Sequence, residues 1–183
     1  NMLYNIVDRI YIGHIPDIGA MALTGVGVCM PLIMIVAAFA SLVGYGGSPR
    51  ASIFMGKKEP KEAEHILGNC FSLQVMISIL LTIILFLWNR EFLMAFGASE
   101  NTIGYAWDYM KIYALGMPAM AVYNFGNGVL SARGDTKRPL IYLSIAGVIN
   151  VLLNLFFVIV CHMAAAGVAT ASAIALYISA ALV

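Results

Sequence analysis

Four uncharged runs divide the chain: Ile18–Pro49, Ile66–Asn89, Ile112–Ala132 and Pro139–Val183. A helix needs about 20 mostly apolar residues to cross the hydrocarbon core of a bilayer, so each of the first three runs suffices for one span. The last run holds 45 residues, too many for a single helix. Cys161-His162-Met163, with the small residues after it, marks a turn between two. A shorter uncharged stretch, Asn1–Val7, leads into Asp8 and Arg9 and supplies part of another helix. The pattern predicts six helices, at about 1–13, 21–44, 68–88, 102–130, 140–160 and 166–183. Pro31 and Pro118 fall inside the second and fourth. A proline there kinks the helix and frees a backbone carbonyl that a neighbouring helix or water must satisfy.

Composition agrees with a membrane bundle. Hydrophobic residues make up 62% of the chain and charged residues only 10%, against about a quarter charged in a soluble domain. That excludes a soluble nucleic-acid-binding domain, and the lipid bilayer becomes the first partner. The net charge of +1 matters less than its placement. The connections 48–65 and 131–139 hold Arg50, Lys57, Lys58, Lys61, Arg133, Lys137 and Arg138, seven of the ten basic residues. The positive-inside rule puts both connections in the cytoplasm, so the first helix runs outward. The charged run around Lys57-Lys58-Glu59-Pro60 suggests a short amphipathic helix at the surface. Asp108 and Lys111, three apart, are placed to pair on one face.

The ends are abrupt. Asn1 opens inside an apolar stretch and Val183 ends without a cap or polar tail, so the expectation is a fragment whose first helix is truncated. Cys29, Cys70 and Cys161 show no paired spacing and are expected to be small buried side chains. Glycine-rich phosphate loops, metal-ligand spacings and nucleophile–base pairs are not evident, so no catalytic residues and no cofactor are expected. Any energy for transport would come from an ion gradient.

Polar residues within the predicted spans are few. The first helix offers Tyr4, Asn5 and Asp8; the fourth, Tyr123, Asn124 and Asn127; the fifth, Asn150 and Asn154; the sixth, Thr170 and Ser172. An ionisable group in or beside a bilayer is costly and marks function by default. The Asp8 carboxylate can take a proton or hold a cation such as sodium. Asn150 and Asn154 are four apart and share a helix face. Their amides can offer oxygens to a cation or hydrogen-bond an acid, or they can simply tie helices together. Asp8 also has a bland alternative, an interfacial pairing with Arg9. Ala165, Ala169 and Ala173, spaced by four, allow close helix approach.

Several segments resemble one family. Tyr4-Asn-Ile-Val-Asp8-Arg-Ile-Tyr-Ile-Gly13 is similar to the first-helix motif of the multidrug and toxic compound extrusion (MATE) transporters. Tyr123-Asn-Phe-Gly126 with Ala132-Arg-Gly-Asp-Thr-Lys-Arg-Pro139 resembles that family's fourth helix and inner loop. Gly147–Phe157 resembles its fifth helix, and Ala166-Gly-Val-Ala169 the start of its sixth.

The resemblance implies an all-α integral membrane fold of twelve helices in two six-helix lobes. Residues 1–183 would form the N-terminal lobe, and the C-terminal lobe of the same polypeptide would be missing here. It further implies a plasma-membrane antiporter, in a bacterium the inner membrane, that exports amphipathic organic cations by alternating access. Asp8 would be the ion-coupling carboxylate, for protons or sodium, with Asn150, Asn154 and Ser172 beside it. Tyr4, Asn5, Asn124, Asn127 and Thr170 would support the substrate cavity. Two positions depart from the family: many members have Asp where this chain has Asn154, and Thr where it has Ser172. The first departure leaves Asp8 as the sole acid of that implied coupling site. Alternatives are a lipid-linked oligosaccharide flippase, whose cavity would need basic residues that the spans lack apart from Arg9 near an end, and a non-transporting membrane scaffold or membrane-embedded enzyme.

Overall fold

The computed structural model describes residues 9–13, 15 and 17–183. Tyr4, Asn5 and Asp8 lie outside the described residues. Helical residues 9–13 form α1. They are followed by α2 (Gly19–Gly56), α3 (Pro60–Ala95), α4 (Ile103–Ala132), α5 (Lys137–Asn154) and α6 (Ala164–Leu182). Between α5 and α6 the chain continues as a π-helix over Leu155–Val160. Among the described residues every regular element is helical.

Two of these helices are much longer than the hydropathy pattern predicts. α2 has 38 residues and α3 has 36, about 57 and 54 Å at 1.5 Å per residue, against a hydrocarbon core of about 30 Å. Hydrophobicity marks where lipid begins, whereas a helix continues into water as long as its backbone stays paired. The expected 48–65 loop is therefore mostly helix, and the connection shrinks to residues 57–59. The charged run does not form a separate surface helix. Pro60 is instead the first residue of α3, the position where its missing N–H costs nothing. The second inner loop contracts in the same way, to residues 133–136.

Breaks within the helices follow local chemistry. α3 leaves helical geometry at Trp88 (φ −112°, ψ 22°), the predicted end of the third span, and continues beyond it to Ala95. Next to that break, Asn89 is buried and its amide donates to Trp107 O at 3.2 Å. Pro118 lies inside α4, and Pro31 and Pro49 lie inside α2. The freed Ala114 carbonyl, four residues before Pro118, accepts the Thr82 hydroxyl of α3 at 3.1 Å. A neighbouring helix thus satisfies it, as the proline requires.

α4 packs against α2, α3 and α6, and α5 packs against α6. α2, α3, α5 with its π extension, and α6 are each long and apolar enough to cross a membrane. α4 carries Asn124 and Asn127 and is packed by α2, α3 and α6, with Trp107 and Leu115 left exposed. Small residues let these helices meet closely, as expected where the hydrophobic effect does not drive association. A Cβ on Gly25 would lie 2.9 Å from Thr102 O, and one on Gly116 would lie 3.5 Å from the Ala173 Cα. Ala165 and Ala169 are buried on the same α6 stripe. Met34, Leu42, Met76, Leu87, Leu140 and Val148 point outward, where lipid would cover them.

Two side-chain expectations change. Asp108 and Lys111 do not pair. The Lys111 ammonium instead lies 4.8 Å from the Trp107 ring centre and 5.3 Å from that of Phe86, a cation–π arrangement that holds the charge at an aromatic interface. Of the three cysteines only Cys29 is fully buried; Cys70 is half-buried and Cys161 exposed.

Candidate functional site

Two polar clusters stand out among the described residues, and they lie on different helix pairs. The first is at the α5–α6 contact. Asn150 and Asn154, one turn apart, are 2% and 0% exposed. The Asn154 amide donates to the Asn150 side-chain oxygen at 3.1 Å, and the Asn150 amide donates to the Ser172 hydroxyl at 3.1 Å. The result is an uncharged ladder running from α5 into α6. Thr170 is not part of it, because its hydroxyl donates to Ala166 O of its own helix at 2.7 Å.

The regular α-helix ends at Asn154. From Leu155 to Val160 the backbone widens to π geometry, with Cys161 N–H donating to Phe156 O at 3.1 Å. Single π turns inside α-helices often accompany functional sites. They allow one extra residue without unpairing the backbone. Across an apolar cavity of about 660 Å³, Val158 and Ile159 of the π segment face Ile10 and Tyr11 of α1, and His162 also lines it. α1 is the helix that leads out of Asp8.

The second cluster lines a cavity of about 300 Å³ between α2 and α4. Asn124, Asn127 and Ser131 of α4 face Ser41, Ser48 and Ser52 of α2 across it. Its walls offer hydroxyls, amides and no formal charge. Ser52 donates to Ser48 O at 2.9 Å, with Ala132 O of α4 at 3.5 Å, which links the inner ends of the two helices. The chain thus brings Asn124 and Asn127 into one cavity and Asn150, Asn154 and Ser172 into one network, but does not merge the two.

The α2 serines escaped the sequence reading, although a signal was present. Positions 41, 48 and 52 are separated by seven and four, one face of a helix. Gln74, Ser78 and Thr82 of α3, spaced by four, carry the same kind of signal. The α3 row is masked by its strongly apolar surroundings, and Ser48 and Ser52 by their place in the expected 48–65 connection.

The MatE family model matches residues 1–156. The chain belongs to this family. Its members are transporters, and this chain is a multi-pass protein of the plasma membrane. A FAD transporter of Shewanella oneidensis is 24% identical over 151 residues, which is 82% of this chain and 33% of that protein. The probable multidrug resistance protein YpnP of Bacillus subtilis is 28% identical over 166 residues, 91% of this chain and 37% of its own. The multidrug export protein MepA of Staphylococcus haemolyticus is 21% identical over 174 residues, 95% and 38% respectively. The chain therefore spans about a third of the length of these relatives. Among solved structures, an inward-facing multidrug resistance MATE transporter superposes with a TM-score of 0.91 at 22% identity, over 98% of this chain and 40% of that one. An outward-facing one gives 0.90 over 98% and 39%. The fold is that of a MATE lobe.

Proposed function

We propose that this chain is the N-terminal lobe of an antiporter that exports amphipathic organic cations, driven by a proton or sodium gradient. Family membership supports transport. The observation that carries the division of labour is the buried, uncharged Asn150–Asn154–Ser172 ladder. A network of amides and a hydroxyl has no charge to exchange with a gradient, so coupling falls on Asp8. When Asp8 takes up the ion on the outer side it loses its net charge. α1 then shifts against the π segment and α6, and the hold on substrate weakens. Asn150, Asn154 and Ser172 give α5 and α6 a fixed polar wall for that movement. Cargo is held between this lobe and a second one, with Asn124, Asn127 and the facing α2 serines offering neutral hydrogen bonds to its polar groups. The gradient contributes about 2.3 kcal/mol per charge per 100 mV, plus about 1.4 kcal/mol per pH unit if the ion is a proton.

The test uses the full-length transporter in liposomes, wild type beside Asp8→Asn, with efflux of a fluorescent cation under an imposed proton or sodium gradient. The expected result is that gradient-driven efflux disappears in the variant while substrate binding persists, and that the effective gradient identifies the ion. Efflux equal to wild type would remove Asp8 from the mechanism.

A further inference from the structure

Pro118 has no N–H, so the α4 ladder is open at Ala114 O. Side chains from both flanking helices reach this joint. Thr82 of α3 donates to Ala114 O at 3.1 Å and shares its proton with Ser78 O of its own helix at 2.8 Å, a three-centre bond. The Tyr177 hydroxyl of α6 donates to Leu115 O, the next carbonyl along, at 2.8 Å. Its reach is fixed by the close approach of Gly116 to Ala173, where an added Cβ would lie 3.5 Å from the Ala173 Cα. Tyr177 stands one turn beyond that contact. The far side of the joint carries Asn127, about 14 Å further along the axis at 1.5 Å per residue, in the polar cavity it forms with Ser41, Ser48 and Ser52. A change of about 10° at Pro118 would move Asn127 by about 2 Å, over a lever arm set by the helical rise. Such a shift is comparable to the reach of one hydrogen bond.

We infer that Thr82 and Tyr177 are positioning residues. They hold the Pro118 joint at one angle by bonding the carbonyls around it, and so set how widely the polar cavity between α2 and α4 opens. The consequence for export rests on the proposed transport function. The consequence for the cavity does not, and the two are tested separately.

The full-length protein, otherwise free of cysteine, receives Asn127→Cys, and its rate of labelling by a maleimide is followed in detergent. Thr82→Val and Tyr177→Phe should each change that rate by about threefold, the effect of one interhelical hydrogen bond in a membrane protein. Thr82→Ser should keep the original rate. In Pro118→Ala the N–H returns to Ala114 O, and there Thr82→Val and Tyr177→Phe should change nothing. Equal effects with and without Pro118→Ala would overturn the inference, because they would mean ordinary packing. Unchanged labelling in both variants would overturn it too. Tyr177→Phe removes only a hydroxyl and covers the case in which Thr82→Val misfolds. Efflux by the same variants, carrying Asn127, is measured in parallel. A wild type that does not export would remove the transport function, while the labelling pattern would still decide the joint.

Discussion

Asn150 holds two hydrogen bonds at once, one accepted from Asn154 and one donated to Ser172. Removing it takes away both of these bonds, one to each helix, whereas removing Ser172 takes away one. Interhelical hydrogen bonds in membranes average about 0.6 kcal/mol and reach about 1.7. With two bonds lost together, Asn150→Ala should destabilise the protein by about 1–3 kcal/mol and Ser172→Ala by about 0.6, measured as SDS-induced unfolding in mixed micelles. Equal losses would show that the ladder does not act as a unit. The four-residue spacing of Asn150 and Asn154 and the rarity of polar residues in the spans were enough to select this pair from the sequence. Thr170, which stands out only as a polar residue of the sixth span, bonds its own helix, because hydroxyls can satisfy themselves on the preceding turn. Nothing in spacing alone separates those two outcomes.

Helix ends were less legible than helix existence, and for a physical reason. Apolar runs locate the lipid-facing part of α2 and α3, but the polar extensions to Gly56 and back to Pro60 are held by ordinary helical pairing that hydropathy does not sense. The π segment at Leu155–Val160 was hidden similarly, since its residues are as apolar as those of an α-helix. Contacts between elements depend on small residues that the sequence shows without naming their partner. Gly25 is the tightest of these among the helix crossings described above, with a Cβ position 2.9 Å from Thr102 O and 3.1 Å from Ala106 N. Both neighbours are backbone and cannot rotate away. Gly25→Ala should force α2 from α4 and destabilise by about 1–3 kcal/mol, as overpacking does, whereas Gly27→Ala, with open space around it, should not. Detergent melting curves of the two variants would compare them directly, and an equal fall in both would mean that the α2–α4 approach is not tight.

At the scale of the molecule, α4 is the post against which α2, α3 and α6 pack. Seven basic residues lie on one side: six in the short turns or the first turns of α3 and α5, and Arg50 nearly two turns inside the end of α2. The charge asymmetry thus sits on rigid helix ends. The turn between α2 and α3 is residues 57–59, with Lys58 in left-handed geometry at φ 59°. That conformation is unfavourable for a residue with a side chain. Each flanking helix satisfies its own backbone within the bilayer and finds its neighbours by packing. Covalent continuity at this point therefore contributes little to assembly. The gene could be cut between the codons for Lys58 and Glu59 and expressed as two polypeptides. The expected outcome is that the pieces co-purify through a tag on either one and melt as a single species. If they separated, the turn would be part of what holds α2 against α3.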